Sequence, residues 1–274
     1  MRIAERVFVV TGGGNGMGRQ VVLGLARRGA RVAAVDIDAA GLTETAELAR
    51  AAHAAISTHI VNVTDSDAVA GLPDQVTSVH GQIDGLVNIA GVIHRFAPFT
   101  DLSADELARI MEVNFWGTVN TCRVFLPILL QRPEANLTNM SSLAALVPFA
   151  SQTFYGASKG AVKQFSEGLY AELSDTNVHV VTLFPGNVST NLTGNSGVEM
   201  LDSGGRRAPT KTPEEAGEKI VEGIAKDSFR VLVGTDARLL DPGPVVAERL
   251  TQWLAQHPGF DDEGDGSLTV HCTG

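Results

Sequence analysis

The stretch Arg6-Val7-Phe8-Val9-Val10-Thr11-Gly12-Gly13-Gly14-Asn15-Gly16-Met17-Gly18-Arg19-Gln20-Val21-Val22-Leu23-Gly24-Leu25-Ala26 decides the fold. Arg6–Val10 is a short apolar run, readable as a buried strand. A glycine-rich turn over residues 11–18 follows at once. Val21, Val22, Leu25 and Ala26 then recur at helical spacing. Strand, glycine turn and helix together are the setting in which a glycine cluster has chemical meaning. Glycines let a backbone turn tightly and approach a pyrophosphate. The helix N-terminus presents free N–H groups and partial positive charge to it.

Reading outward, Arg31–Val35 is a second strand with Asp36 at its carboxyl end. An acid there, about 20 residues past the glycine loop, can accept hydrogen bonds from adenosine ribose hydroxyls and repels a 2′-phosphate. No Lys or Arg lies within the loop; Arg19 comes just after it. The reading therefore favours NAD over NADP. Strand-like and helical patterns keep alternating: a helix over Thr43–Ala55, a strand over Ala54–Val61, and a helix over Ala68–His80 interrupted at Pro73. Gly85–Asn88 reads as a strand, and the capping box Ser103-Ala104-Asp105-Glu106 opens a helix that runs on as one extended piece over Leu107–Leu130. Further strands are expected at Asn136–Met140, Val178–Phe184 and Arg230–Val233, with helices from Tyr155 to about Asp175 and from Pro213. Alternation of this kind predicts a single-domain α/β fold, a doubly wound seven-stranded parallel sheet with helices on both faces. One catalytic domain is expected over residues 1–260, with a substrate-covering loop at about 189–210, and a polar, glycine-rich tail over 261–274.

A second constellation bears on chemistry. Tyr155 and Lys159 stand four residues apart, so on a helix they share one face. An ammonium beside a phenol favours the phenolate and lowers a tyrosine pKa from about 10. A tyrosine so tuned exchanges a proton with an alcohol or ketone oxygen. Ser142, at the end of a strand-like run, is placed to hold that oxygen beside the phenol.

Composition narrows the remaining choices. The chain has 274 residues, 44% of them hydrophobic, and a formal net charge of −10. That balance disfavours a nucleic-acid partner, which demands basic clusters; the densest basic pairs are Arg27-Arg28 and Arg206-Arg207. Two cysteines, Cys122 and Cys272, make no disulfide framework, and the seven histidines show no metal-ligand spacing, so no metal is expected. No apolar run approaches bilayer-spanning length and no charged-then-apolar leader precedes the first strand, so a cytoplasmic protein is expected, with no membrane partner.

These motifs together resemble the short-chain dehydrogenase/reductase family over about residues 3–240. Thr11–Gly18 is similar to the family's TGxxxGxG, Asn88-Ile89-Ala90-Gly91 to its NNAG, and Pro185–Thr190 to its PGxVxT. Asn114, Ser142, Tyr155 and Lys159 fall on its catalytic tetrad. The resemblance implies interconversion of a secondary alcohol and a ketone with NAD(H). Tyr155 would be the general acid/base and Ser142 would orient the substrate oxygen. Lys159 would tune Tyr155 and bond the nicotinamide ribose. Asn114 would fix a helix kink and a water leading from Lys159. It further implies cofactor contacts from Gly12, Asn15, Gly16, Met17, Gly18, Asp36, Ile37, Asn62, Val63, Asn88, Ala90, Gly91, Tyr155, Lys159, Pro185, Gly186, Val188 and Thr190. Two positions depart from the family pattern. Ile89 replaces an Asn that ties the central strands, and Asn62 stands where Asp is commoner. An apolar, medium-sized or alicyclic, steroid-like substrate is expected, in a homodimer or homotetramer. An epimerase or dehydratase on the same fold, or a non-catalytic NAD-binding regulator, are the alternative readings.

Overall fold

A computed structural model describes residues 1–51, 54–188 and 211–234. In chain order its elements are β1 (Val7–Thr11), α1 (Gly16–Arg27), β2 (Arg31–Asp36), α2 (Ala39–Ala51), β3 (Ile56–Ile60), α3 (Ser66–Ala70), α4 (Leu72–His80) and β4 (Gly85–Asn88). There follow α5 (Ala104–Met111), a π-helical turn (Glu112–Trp116), α6 (Gly117–Leu129), β5 (Ala135–Met140), α7 (Thr153–Glu172), β6 (Val178–Pro185), α8 (Pro213–Ala225) and β7 (Arg230–Val233). The seven strands form one parallel sheet in the order β3-β2-β1-β4-β5-β6-β7.

Strand periodicity assigns the two faces. Phe8, Val10, Val32 and Ala34 point to one face, where Val21, Val22 and Leu25 of α1 and Ile220, Val221 and Ile224 of α8 cover them. Val7, Val9, Ala33 and Val35 point to the other, under Leu72 and Val76 of α4 and Phe125 and Leu129 of α6. The inner strand β1 and its neighbour β2 are therefore apolar on both sides, as a sheet covered twice requires.

The strands and α8 lie close to their expected places; three segments differ for local reasons. The Asp38 carboxylate accepts the Ala40 and Gly41 N–H groups, at 3.1 and 3.0 Å, which starts α2 four residues before Thr43. Pro73 opens α4 rather than interrupting a helix, since its missing N–H is an orphan at a first turn anyway. The single helix expected over Leu107–Leu130 is broken by the π turn at Glu112–Trp116. The substrate-loop residues 189–210, including Thr190, and the 261–274 tail lie outside the described residues. Among the described residues, no helix is long and apolar enough to cross a membrane.

The central strands are tied through Asn88, the neighbour of Ile89. Asn88 donates to the Asn139 carboxamide oxygen at 2.9 Å and accepts from Thr121 at 2.9 Å, and Asn139 donates to Ser166 at 3.0 Å. This buried network joins β4 and β5 to α6 and α7. Ile89 itself packs with the apolar cluster over α1.

Candidate active site

The carboxyl ends of β1, β2, β4 and β5 open onto a cleft of about 620 Å³. Ligands of open parallel sheets bind at this edge, where strand order reverses. Gly12, Asn15, Gly16, Met17 and Gly18 line one wall, followed by Asp36, Ile37, Asn62 and Val63; Ile89, Ala90 and Gly91 form the floor, and Tyr155, Lys159 and Pro185 the far end.

Two glycines are required by geometry. Gly12 adopts φ +71°, and a Cβ on Gly18 would lie 1.8 Å from the Gly12 carbonyl oxygen. Only glycine lets the first turn of α1 settle onto the loop. The Asn15 side chain makes no capping hydrogen bond to that helix, no acid stands in the first turn, and the first intrahelical bond is from Arg19 N–H to the Asn15 carbonyl at 3.0 Å. The preceding helical N–H groups therefore have no intrahelical acceptor. A wall built this way suits a phosphate or pyrophosphate.

Asp36 is held by backbone. One carboxylate oxygen accepts the Gly14 N–H at 2.9 Å and the other the Asp38 N–H at 3.1 Å. Arg19 does not reach for an anion in the cleft: it donates to the Gly14 carbonyl at 2.6 Å and to Thr45 at 3.0 Å, and pairs with Glu44 at 2.7 Å. It braces the outside of the glycine loop.

At the far end, Tyr155 and Lys159 lie one turn apart on α7, as their spacing predicts. Ser142 lies beside the Tyr155 phenol, and its hydroxyl oxygen accepts the Ala144 N–H at 3.1 Å. Lys159 is 3% exposed and donates to the Met140 carbonyl at 3.0 Å. Burial pushes its ammonium down to about 8. The expected lowering of the tyrosine pKa is not what this geometry gives. Desolvation pushes the phenol up, and the neighbouring Ser142 hydroxyl offsets only part of that. The lysine is itself deprived of water, and its bond goes to a carbonyl.

Asn114 sits in the π turn, fully buried. Its carboxamide oxygen accepts the Val92 N–H at 2.8 Å, and its amide nitrogen donates to the Val92 carbonyl and the Ser158 hydroxyl, both at 3.0 Å. A Cβ on Gly91 would meet both the Asn114 oxygen and the Lys159 nitrogen, at 3.1 and 3.2 Å, so these two polar groups flank one glycine.

The structure thus brings most of the sequence-derived residues together. Asn88, Asn114, Ser142, Gly186 and Val188 stand outside the cleft lining, Asn88 because its side chain turns into the network with Asn139. Motif reading missed Arg109, Glu112 and Val113, which line the cleft from α5 and the π turn. Their i, i+3, i+4 spacing was the available signal. At the opposite edge of the sheet, Glu134, His179 and Asp227 bring one potential metal-ligating atom each within 4.8 Å of the others. Arg6 already pairs with Glu134, and the amino group of Met1 with Asp227.

Residues 6–200 match the short chain dehydrogenase family. The chain belongs to this family. The Mycobacterium tuberculosis protein SadH is 33% identical over 248 residues, covering 86% of this chain and 88% of its own. The 1-deoxy-11-beta-hydroxypentalenate dehydrogenase of Streptomyces avermitilis is 32% identical over 241 residues, covering 87% and 88%. A short chain dehydrogenase/reductase from Burkholderia phymatum, solved in complex with NAD, superposes with a TM-score of 0.77 at 26% identity, covering 87% of this chain and 94% of that one. Family membership makes the protein an oxidoreductase and gives the cleft its most economical reading.

Proposed function

We propose that the protein interconverts a secondary alcohol and a ketone with NAD(H), and that Tyr155 transfers the proton. The observation that carries this reading is a phenol beside Ser142, one helical turn from buried Lys159, at the end of a cleft walled by a helix N-terminus without a side-chain cap. Gly12, Asn15, Gly16, Met17 and Gly18 would hold the pyrophosphate; Asp36 and Ile37 the adenosine ribose; Asn62 and Val63 the adenine. Asn88, Ala90, Gly91, Pro185, Gly186, Val188 and Thr190 would complete the contacts toward the nicotinamide. The nicotinamide, when bound, supplies or takes the hydride. The protein supplies position and a proton.

In the reductive direction the ketone oxygen lies between the Ser142 hydroxyl and the Tyr155 phenol. A phenol whose pKa burial raises keeps its proton and so begins as a donor. As the substrate oxygen gains charge, Tyr155 gives up that proton, and the nearby Lys159 ammonium stabilises the phenolate left behind. Lys159, near 8, is largely protonated at neutral pH and is itself able to pass a proton on.

The braced Asp36 carboxylate and the commitment of Arg19 to Glu44 support NAD over NADP. An apolar substrate of medium or alicyclic size is part of the proposal, and the name of the Streptomyces relative, a hydroxypentalenate dehydrogenase, supports oxidation of a hydroxyl group. Phe115 stacks edge-on with Trp116 and with Phe165 of α7, and Trp116 remains 47% exposed, which supports pairing of subunits through α6 and α7 into a dimer or tetramer. A cytoplasmic location remains part of the proposal.

The test is initial-rate turnover with NADH and NADPH over aliphatic, alicyclic and steroid ketones, with Tyr155→Phe alongside. The proposal expects NADH-dependent turnover that falls roughly 10²- to 10⁴-fold in the variant while NADH binding is retained. Equal turnover in Tyr155→Phe refutes the proton-transfer role. Turnover with NADPH alone refutes the reading of Asp36.

A further inference from the structure

The helix that carries Tyr155 has no cap of its own. Gln152, which precedes α7, makes no side-chain hydrogen bond to the helix start, and the first intrahelical bond runs from Gly156 N–H to the Gln152 carbonyl at 2.9 Å. The Tyr155 N–H is therefore one of the orphan donors every helix N-terminus leaves. Its partner comes from 61 residues away: it donates to Nε2 of His94, at 3.2 Å, in the loop after β4.

The other ring nitrogen fixes the tautomer. Nδ1 of His94 lies 2.7 Å from the Arg95 carbonyl, which can only accept. The ring proton therefore sits on Nδ1, and Nε2 presents its lone pair to Tyr155. Gln152 closes the arrangement by donating to the His94 carbonyl at 3.3 Å. His94 and Gln152 are 4% and 5% exposed, so neither bond has water as a ready substitute.

The same loop is strapped on its other side. Val92 exchanges both of its backbone bonds with Asn114, and Asn114 donates to Ser158, whose hydroxyl donates to the Tyr155 carbonyl at 2.7 Å. The backbone of Tyr155 is thus bracketed: its N–H by His94, its carbonyl by Ser158.

We infer that His94 is a positioning residue, a helix cap supplied from another loop that sets where the Tyr155 phenol stands relative to Ser142. Its catalytic consequence rests on the proposed role of Tyr155; its structural content does not. Side-chain caps supplied within a helix usually come from the adjoining residue. Here the cap is an imidazole contributed by the loop that carries Gly91, so one bond sets the distance between the cleft floor and the catalytic helix.

Two variants separate the ring's two functions. His94→Gln keeps an acceptor near the Nε2 position; His94→Asn keeps only a donor near Nδ1. In His94→Asn the Tyr155 amide is expected to exchange with solvent deuterium roughly 5- to 10-fold faster, the factor a lost cap implies. For whichever ketone the wild type reduces, kcat should fall roughly 10- to 100-fold, as misplacement of a reacting group does. The KM for NADH should move less than about threefold, because the cofactor wall is untouched. His94→Gln should restore exchange and kcat to within about threefold of wild type. Asn and Gln variants that behave alike overturn the inference. Nitrogen-15 shifts of the wild-type imidazole give a reading that needs no variant: protonated Nδ1 supports the cap, protonated Nε2 overturns it. If the wild type reduces no ketone at all, the proposed reaction fails, while amide exchange and the tautomer still decide the role of His94.

Discussion

The two edges of the parallel sheet are built on opposite principles. At the amino edge, Asp84 is fully buried yet satisfied: it accepts the Val7 N–H at 2.8 Å and a Gln82 bond at 2.6 Å, and pairs with Arg132 at 2.9 Å and Arg6 at 3.4 Å. Arg6 reaches on to Glu134. At the carboxyl edge, Lys159 is equally hidden but meets a carbonyl instead of a carboxylate, and α1 starts without a side-chain cap. One edge uses polar groups to fix strand ends against one another. The other keeps polar groups in surroundings that disfavour them, ready for a ligand. Sites of this kind trade stability for activity, so matched substitutions at the two edges should move stability in opposite directions.

The largest expected contrast is between Lys159→Met and Asp84→Ala. In the folded chain Lys159 has its pKa lowered to about 8, against about 10.4 when unfolded. Between those values the unfolded chain holds the extra proton, so stability rises with pH across the window. Below it the buried ammonium is a standing cost. Removing the charge should therefore raise the melting temperature at pH 7 while abolishing turnover. Asp84→Ala leaves Arg6 and Arg132 without their buried partner and should cost roughly 3–5 kcal/mol. Calorimetry at pH 7 checks both. A lower melting temperature for Lys159→Met, or an unchanged one for Asp84→Ala, would break the comparison.

Asp36 stands on the border between the two principles, because its carboxylate is both braced by Gly14 and open to the cleft. Asp36→Asn keeps a carboxamide oxygen for the Gly14 N–H, gives up the exposed bond from the Asp38 N–H, and removes the charge. The ratio of NADH to NADPH efficiency should fall roughly tenfold, since the repulsion of a 2′-phosphate disappears, with little change in stability. A ratio that stays put would mean that discrimination lies elsewhere, with Arg109 and Glu112 the next cleft residues to test.

How much of this was legible in the sequence depended on whether the signal was local. The β1–α1 unit was readable because strand run, glycines and helical spacing are contiguous, and Tyr155 and Lys159 because a helix turn relates them. The π turn at Glu112–Trp116 was not legible in the local pattern, since Leu107–Leu130 reads as one helix; only the family resemblance implied a kink, at Asn114, which lies in that turn. The widened turn goes with bonds from Asn114 to Val92 and Ser158, long-range contacts that no window of sequence contains. His94 escaped for the same reason. Its partner Tyr155 is 61 residues away. The tyrosine pKa went astray because spacing gives neighbours on a helix face but not which oxygen an ammonium will choose.

The smallest expected effect probes whether the amino edge is uniformly robust. Near the starts of β2 and β3, the Ser57 hydroxyl lies 2.8 Å from Nε2 of both His59 and His80, and Nδ1 of His59 lies 3.4 Å from the Gln75 carboxamide oxygen. One hydroxyl proton can serve one of the two rings, so the other must donate its own. The Gln75 oxygen needs the His59 proton on Nδ1, so Nε2 of His59 accepts from Ser57 and Nε2 of His80 donates to it, with both rings neutral. Burial pushes both pKa values down; Gln75 partly offsets this for His59, while Arg31 and His59 add to it for His80. A lowered folded pKa means that the unfolded chain takes up protons first. The contribution is therefore intact above the unfolded value of about 6.5 and is lost as pH falls from there through the folded values. Melting temperatures from pH 8 to pH 5 should drop below pH 6.5 in the wild type, and less steeply in a His59→Gln/His80→Gln double variant. Identical slopes would show that the two histidines do not carry the acid sensitivity of this edge.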